Sequence, residues 1–157
     1  MIPTSIRSDL QQRGVPYREV SHAYQVTAQE TAAAAHVSGK RFAKTVVLKQ
    51  GDHFILAVLP AHEQVDLARW GRALGEPVAL AEEEEFAGLF PDCEPGAQPP
   101  LGHLYGLPVA ADECLAERRT IDFNGGTHTD VIEMRWADFA ALERPRVVRH
   151  GAAPARS

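Results

Sequence analysis

The fold turns on "KTVVLKQGDHFILAVLP", Lys44–Pro60. Two runs rich in β-branched and other apolar residues, "KTVVLK" and "HFILAVLP", flank "QGD", a link with the length and the glycine of a hairpin. The second run is apolar throughout, as in a central strand covered on both faces. With the first run extended back to Phe42, a period of two puts Phe42, Lys44, Val46 and Leu48 on one face. Ala43, Thr45, Val47 and Lys49 fall on the other. Lys49 lies where the strand ends and can reach water, whereas Lys44 shares its face with three large apolar side chains. Two readings of Lys44 stand side by side. It snorkels to the surface with its stem on apolar neighbours, or it is a cation at the rim of a pocket, holding a negative group or assisting a proton transfer.

Outward from this hairpin, Ser5–Gln12 reads as a helix stopped by Gly14 and Pro16, and "YREVSH" as a brief strand. "TAQETAAAAHVSG" is the clearest helix, with Thr27 and Glu30 spaced as a capping box and Gly39 placed to end it. After the hairpin, "EQVDLARWGRALG" predicts a helix with Val65, Leu67, Trp70 and Leu74 on its apolar stripe. "PVAL" predicts a short strand, and "EEEEFAGLF" a helix whose acidic, solvated first turn suits the helix dipole. "CEPGAQPPLGHLYGLP", Cys93–Pro108, belongs to no regular element. "RTIDF" and "DVIEM" read as strands around the turn "NGGTHT", followed by the helix "RWADFAAL" and a last strand, "PRVV". Interleaved helices and strands with two hairpin-length links predict an α/β fold. Its central sheet is mixed and partly barrel-like, with helices outside.

At 157 residues the chain suits one domain, large enough to bury roughly two thirds of its unfolded surface. The expected division is a single domain over residues 1–150 and a flexible tail, 151–157. A formal net charge of −5 argues against a general nucleic-acid coat protein or a DNA-binding protein, but leaves open contact with the end of an RNA. No stretch of about 18 apolar residues suggests a membrane span, and the N-terminus does not read as a secretory signal. The two cysteines, Cys93 and Cys114, form no CxxC pair or disulfide framework, so a reducing, cytoplasmic setting is expected.

Two further features could carry chemistry. "PGAQPPLG" combines prolines, which fix φ and lack N–H donors, with glycines, which allow positive φ and close approach. Such a loop can aim its remaining N–H groups at one place, as an oxyanion hole requires, or be a stiff surface crossover. In "NGGTHTD", His128 and Asp130 could be a general base and its orienting carboxylate, or a polar hairpin tip. The seven histidines show no HxxxH or HExxH pair, so no metal is expected. There is no phosphate-binding glycine motif and no GxSxG elbow, and no cofactor is expected.

Taken in order, "TAQETAAAAHVSGKRFAKTVVLK", "GAQPPLG" and "DFNGGTHTDVIEM" with a final helix resemble the YbaK/prolyl-tRNA-synthetase-associated editing domain family, over about Ser21 to Val148. Members of that family hydrolyse aminoacyl-tRNAs that carry the wrong amino acid. The resemblance implies that Lys44 is the family's essential lysine, that Gly96–Pro100 is its GxxxP loop, and that His128 is similar to a pocket histidine. No synthetase core is present, so the chain resembles the free-standing, trans-acting members.

On that resemblance the expected substrate is a mischarged tRNA recognised at its single-stranded acceptor end, with prolyl-tRNA synthetase or another synthetase as a possible partner. N–H donors for the tetrahedral oxyanion would come from Gly96, Ala97 and Gln98, with Lys44 positioning the ester. Thr45, Pro100, Gly102 and His128 would line the substrate site, and Lys40, Arg41 and Lys49 would form a local basic patch for RNA. Alanine, cysteine, serine and threonine esters are all open. Thr45 stands where some alanine-specific members have asparagine, which leans away from that subgroup. The alternative is a non-catalytic module that binds an aminoacyl group or tRNA end in a synthetase or regulatory complex. A lysine Schiff-base enzyme would instead need a deeply desolvated Lys44.

Overall fold

The computed structural model describes residues 1–22 and 42–149. The helix expected from Thr27 to Gly39, the cations Lys40 and Arg41, and the 151–157 tail lie outside the described residues. In chain order the elements are α1 (Thr4–Gln12), β1 (Arg18–Ser21), β2 (Ala43–Gln50), β3 (His53–Pro60) and α2 (Leu67–Leu74). β4 (Ala79–Leu80), α3 (Glu83–Phe86), β5 (Val109–Asp112) and α4 (Glu113–Ala116) follow. The chain continues through β6 (Thr120–Asn124), β7 (Asp130–Arg135), α5 (Trp136–Glu143) and β8 (Arg146–Val148).

β2 and β3 form the expected antiparallel hairpin, in register from Ala43 opposite Pro60 to Gln50 opposite His53. They lie within a five-stranded mixed sheet of order β4-β2-β3-β5-β8, in which β3, β5 and β8 run parallel. A second, antiparallel sheet has the order β1-β7-β6. The sheets do not close into a barrel among the described residues. Among the described residues one parallel bridge, Phe42 to Asp122, links the start of β2 to β6.

β3 is covered on both faces, as its unbroken apolar run requires. Leu56 and Val58 face a core shared with Ile121 and Phe123 of β6, Ile132 of β7 and Ile6 and Leu10 of α1. Ile55, Ala57 and Leu59 pack on the opposite side against Trp70 and Leu74 of α2. That helix starts where the Asp66 carboxylate accepts the Arg69 N–H at 3.1 Å, an N-cap that satisfies one orphan donor.

The sequence pattern does not predict a strand at Val109–Asp112, yet β5 forms there. It is buried along its whole length and lies between β3 and β8. The parallel and antiparallel pairings bring the start of β2 and the ends of β3 and β5 to one end of the sheet, and this end carries Lys44.

Candidate active site

Local chemistry first fixes the loop. Ala97 donates its N–H to the Glu94 carbonyl at 3.0 Å, closing a four-residue turn with Pro95 and Gly96 at its centre. Gly96 has φ +82°, and proline cannot take a positive φ, so the turn is type II by elimination. A glycine is needed at that position because an L-residue is strained there. The bond also engages the Ala97 N–H, which corrects its expected role as an oxyanion donor. Gly96 and Gln98 keep N–H groups that make no hydrogen bond among the described residues, while Pro99 and Pro100 have none to offer.

The loop meets β2 along the part of its edge that no strand pairs among the described residues. Ala61 donates to the Phe42 carbonyl and Ala81 to the Val47 carbonyl, so backbone groups of even-numbered residues face β3 and those of odd-numbered residues face outward. β4 pairs only with Leu48 and Lys49. At the open part of the edge, the Gln98 side-chain amide donates to the Thr45 carbonyl at 3.4 Å. Gln98 is 7% exposed, and this bond places the loop one residue from Lys44.

Lys44 leaves β2 on the other face, opposite Leu59 and alongside Val46 and Leu48. Burial pulls its pKa below the usual lysine range, and the negative charge of Glu63 opposes that shift. No carboxylate lies within ion-pair distance of it among the described residues. Lys49 sits at the far end of β2, ~16 Å along the strand, and pairs with Glu85 at 2.6 Å. The fold does not bring it to Lys44.

His128 is 5% exposed and turned into the loop. Its ring Nε2 is 2.6 Å from the Pro95 carbonyl; since a carbonyl only accepts, Nε2 carries the proton. The His128 backbone N–H donates to Glu94 Oε1 at 2.6 Å. Glu94 N–H to the Gly126 carbonyl (2.8 Å) and Gly126 N–H to the Ala97 carbonyl (3.0 Å) complete the join between the two loops. Asp130 serves other partners. It accepts from Ser21 and Thr127 and pairs with the Met1 amine at 2.7 Å. Its burial would raise its pKa, but the amine and Thr127 hold it below the usual carboxylate range. The hydrogen bonds thus match the hairpin-tip reading better than a base-and-carboxylate pair.

Gly102 and Pro100 are buried. A Cβ on Gly102 would stand 2.2 Å from the Leu107 carbonyl oxygen, so close packing alone demands glycine there. Burial pushes the Cys93 thiol up to about 12 and the Cys114 thiol up to about 11, leaving neither as a ready nucleophile. One group of described side chains could hold a metal: ligand atoms of Glu63, Asp112 and Cys114 lie within 4.8 Å of one another. The Arg69 guanidinium is 3.8 Å from Asp112 and already supplies positive charge there. A cleft of about 590 Å³ beside Gly71, Gly75 and Val78 contains none of the expected site residues. Among the described residues, a pocket of about 30 Å³ adjoins the loop beside Phe90, Cys93 and Gln98, room for about one water.

The region from residue 22 to 142 matches the aminoacyl-tRNA editing domain family. The chain belongs to that family. Its editing domain shares its fold with a crystal structure described as a candidate trans-editing enzyme for prolyl tRNA synthetase. That likeness has 24% identity, full coverage of both chains and a TM-score of 0.78. The hypothetical protein APE2540 is similar at 20% identity over 91% of this chain and 96% of that chain, with a TM-score of 0.81. No curated protein matches the chain.

Proposed function

We propose that this editing domain is a free-standing aminoacyl-tRNA deacylase that hydrolyses the ester of a mischarged tRNA carrying a small amino acid of the alanine, cysteine, serine or threonine class. The observation that carries the reading is the type II turn beside β2. Among the described residues it leaves the Gly96 and Gln98 N–H groups without partners, on a hydrogen-bonded loop one residue from Lys44.

In this reading water attacks the ester carbonyl carbon, and the carbonyl oxygen becomes the oxyanion that Gly96 and Gln98 N–H receive. Preorganised donors of this kind stabilise the transition state without reorganising at the moment of reaction. Collapse of the tetrahedral intermediate breaks the ester C–O bond, and the ribose oxygen leaves with the proton surrendered by water. The products are free amino acid and uncharged tRNA. The vicinal ribose hydroxyl relays the proton, because His128 is engaged with Pro95 and both thiols are poorly ionised. The Lys44 ammonium holds the terminal phosphate or ribose region and so positions the ester. A second pocket is useful because one methylene distinguishes amino acids by only about 1–3 kcal/mol in a synthetase site.

The test is deacylation of a panel of mischarged tRNAs by wild type and Lys44→Ala. At least one small-amino-acid tRNA is expected to be hydrolysed, with the variant slowed roughly 100-fold, the scale of losing one electrostatic contact to the transition state. Turnover of none, or equal turnover by the variant, would sink the reading.

A further inference from the structure

A Pro-Gly turn does not fix its own central peptide. Types I and II both accept proline at the second position, and they differ by a half-turn of the peptide between the second and third residues. Glycine at the third position tolerates either sign of φ. Residues 94–97 could therefore present the Gly96 N–H to either side of the loop, so its direction must be set from outside.

His128 sets it. Its ring Nε2 stands 2.6 Å from the Pro95 carbonyl oxygen, and Gly96 has the φ of +82° that marks type II. The Pro95 C=O and the Gly96 N–H belong to one trans peptide and point in opposite directions. Holding the carbonyl toward the buried histidine turns the N–H away from it. We propose that His128 is a positioning residue, which holds the Pro95 carbonyl and thereby aims the Gly96 N–H at the ester carbonyl of the substrate. This rests on the deacylase reading and gives His128 a task other than touching the substrate.

The rest of the loop-to-loop join does not need the imidazole. Glu94 still receives the backbone N–H of residue 128, and the bonds between Gly126 and both Glu94 and Ala97 are main-chain. Replacing the ring therefore releases the Pro95–Gly96 peptide while leaving the loops docked. One such hydrogen bond shifts a two-state equilibrium about tenfold.

The experiment compares His128→Leu, which cannot donate, with His128→Gln, whose Nε2 can take the place of the imidazole N–H. Deacylation kinetics and the ¹⁵N-resolved Gly96 amide are both followed. His128→Leu is expected to lower kcat roughly tenfold, with roughly 100-fold or more the limit for outright loss of a donor. KM changes little, and the Gly96 amide shifts or broadens by exchange. His128→Gln restores both readouts. Should His128→Leu fail to fold, His128→Asn takes its place, its amide being one methylene too short. Unchanged kcat or an unchanged Gly96 amide in the non-donor variant overturns the inference, as does failure of glutamine to rescue either readout. If wild type deacylates no tRNA, the deacylase reading falls and takes this inference with it. If wild type is active and the non-donor variant keeps its kcat, only the inference falls.

Discussion

Gly96→Ala tests the turn by energetics that do not depend on the substrate. Gly96 sits at φ +82°, and an added Cβ would meet His128 Cε1 at 3.6 Å, an ordinary contact. The cost is therefore conformational, about 1–2 kcal/mol for an L-residue in the left-handed region. Alanine recovers about 0.4–1 kcal/mol by reducing the freedom of the unfolded chain. The net loss is about 1 kcal/mol, which lowers Tm by about 2–4 °C in a chain of this size. The variant can avoid the strain by flipping to type I, but that breaks the His128–Pro95 bond, itself worth about 0.5–1.5 kcal/mol net. The two costs are comparable, so both turn types should be populated and kcat should fall with the type II fraction. Calorimetry gives the first quantity and deacylation kinetics the second. Gly96→Asn should lose less, because asparagine visits the left-handed region more readily. Gly88→Ala is the control, since Gly88 lacks a positive φ and has open space around a built Cβ. If Gly96→Ala melts and turns over like wild type, the type II assignment and the donor built on it are both wrong.

His103 predicts a pH dependence of stability. Its ring lies between Asp9, at 2.6 Å, and Glu143, tying α1 to α5. Burial would lower its pKa, but the bonds to Glu143 and Asp9 raise it overall. Its stabilisation is thus complete below about pH 6.5, the unfolded value, and is lost as pH rises through the raised folded value. The denaturant midpoint should fall from pH 6 to pH 9, and His103→Gln should flatten that fall; an unchanged slope would exclude His103 as its source. The thiols make a simpler prediction. With values pushed up to about 12 for Cys93 and about 11 for Cys114, iodoacetamide labelling at pH 8 should be slow and should quicken up to pH 10. Fast labelling at pH 8, located by peptide mapping, would contradict the desolvation of whichever thiol it modifies.

Much of this was readable before any coordinates, for particular reasons. The β2–β3 hairpin was legible because its period, its apolar run and the Gly51 link agree on one answer. The loop's capacity to present N–H groups was legible because proline fixes φ and lacks a donor while glycine permits positive φ, but the turn it makes was not. Val109–Asp112 was missed because it is short, half alanine and without alternation. Its strand state comes from parallel pairing with β3 and β8, partners far away in sequence. The four glutamates read correctly as a helix start, yet nothing local shows that Glu85 reaches Lys49 and removes that lysine from the basic patch. The loop's donors follow the same division. Composition leaves three N–H groups between Gly96 and Pro100, and the turn engages one of them. The direction of another is set by an imidazole more than thirty residues away, bonded to a carbonyl that sequence alone marks as unremarkable. A rigid donor thus needs two layers, a turn residue that permits the geometry and a distant side chain that selects it. Only the first is written locally, so loss of the second should leave the fold standing while the chemistry slows.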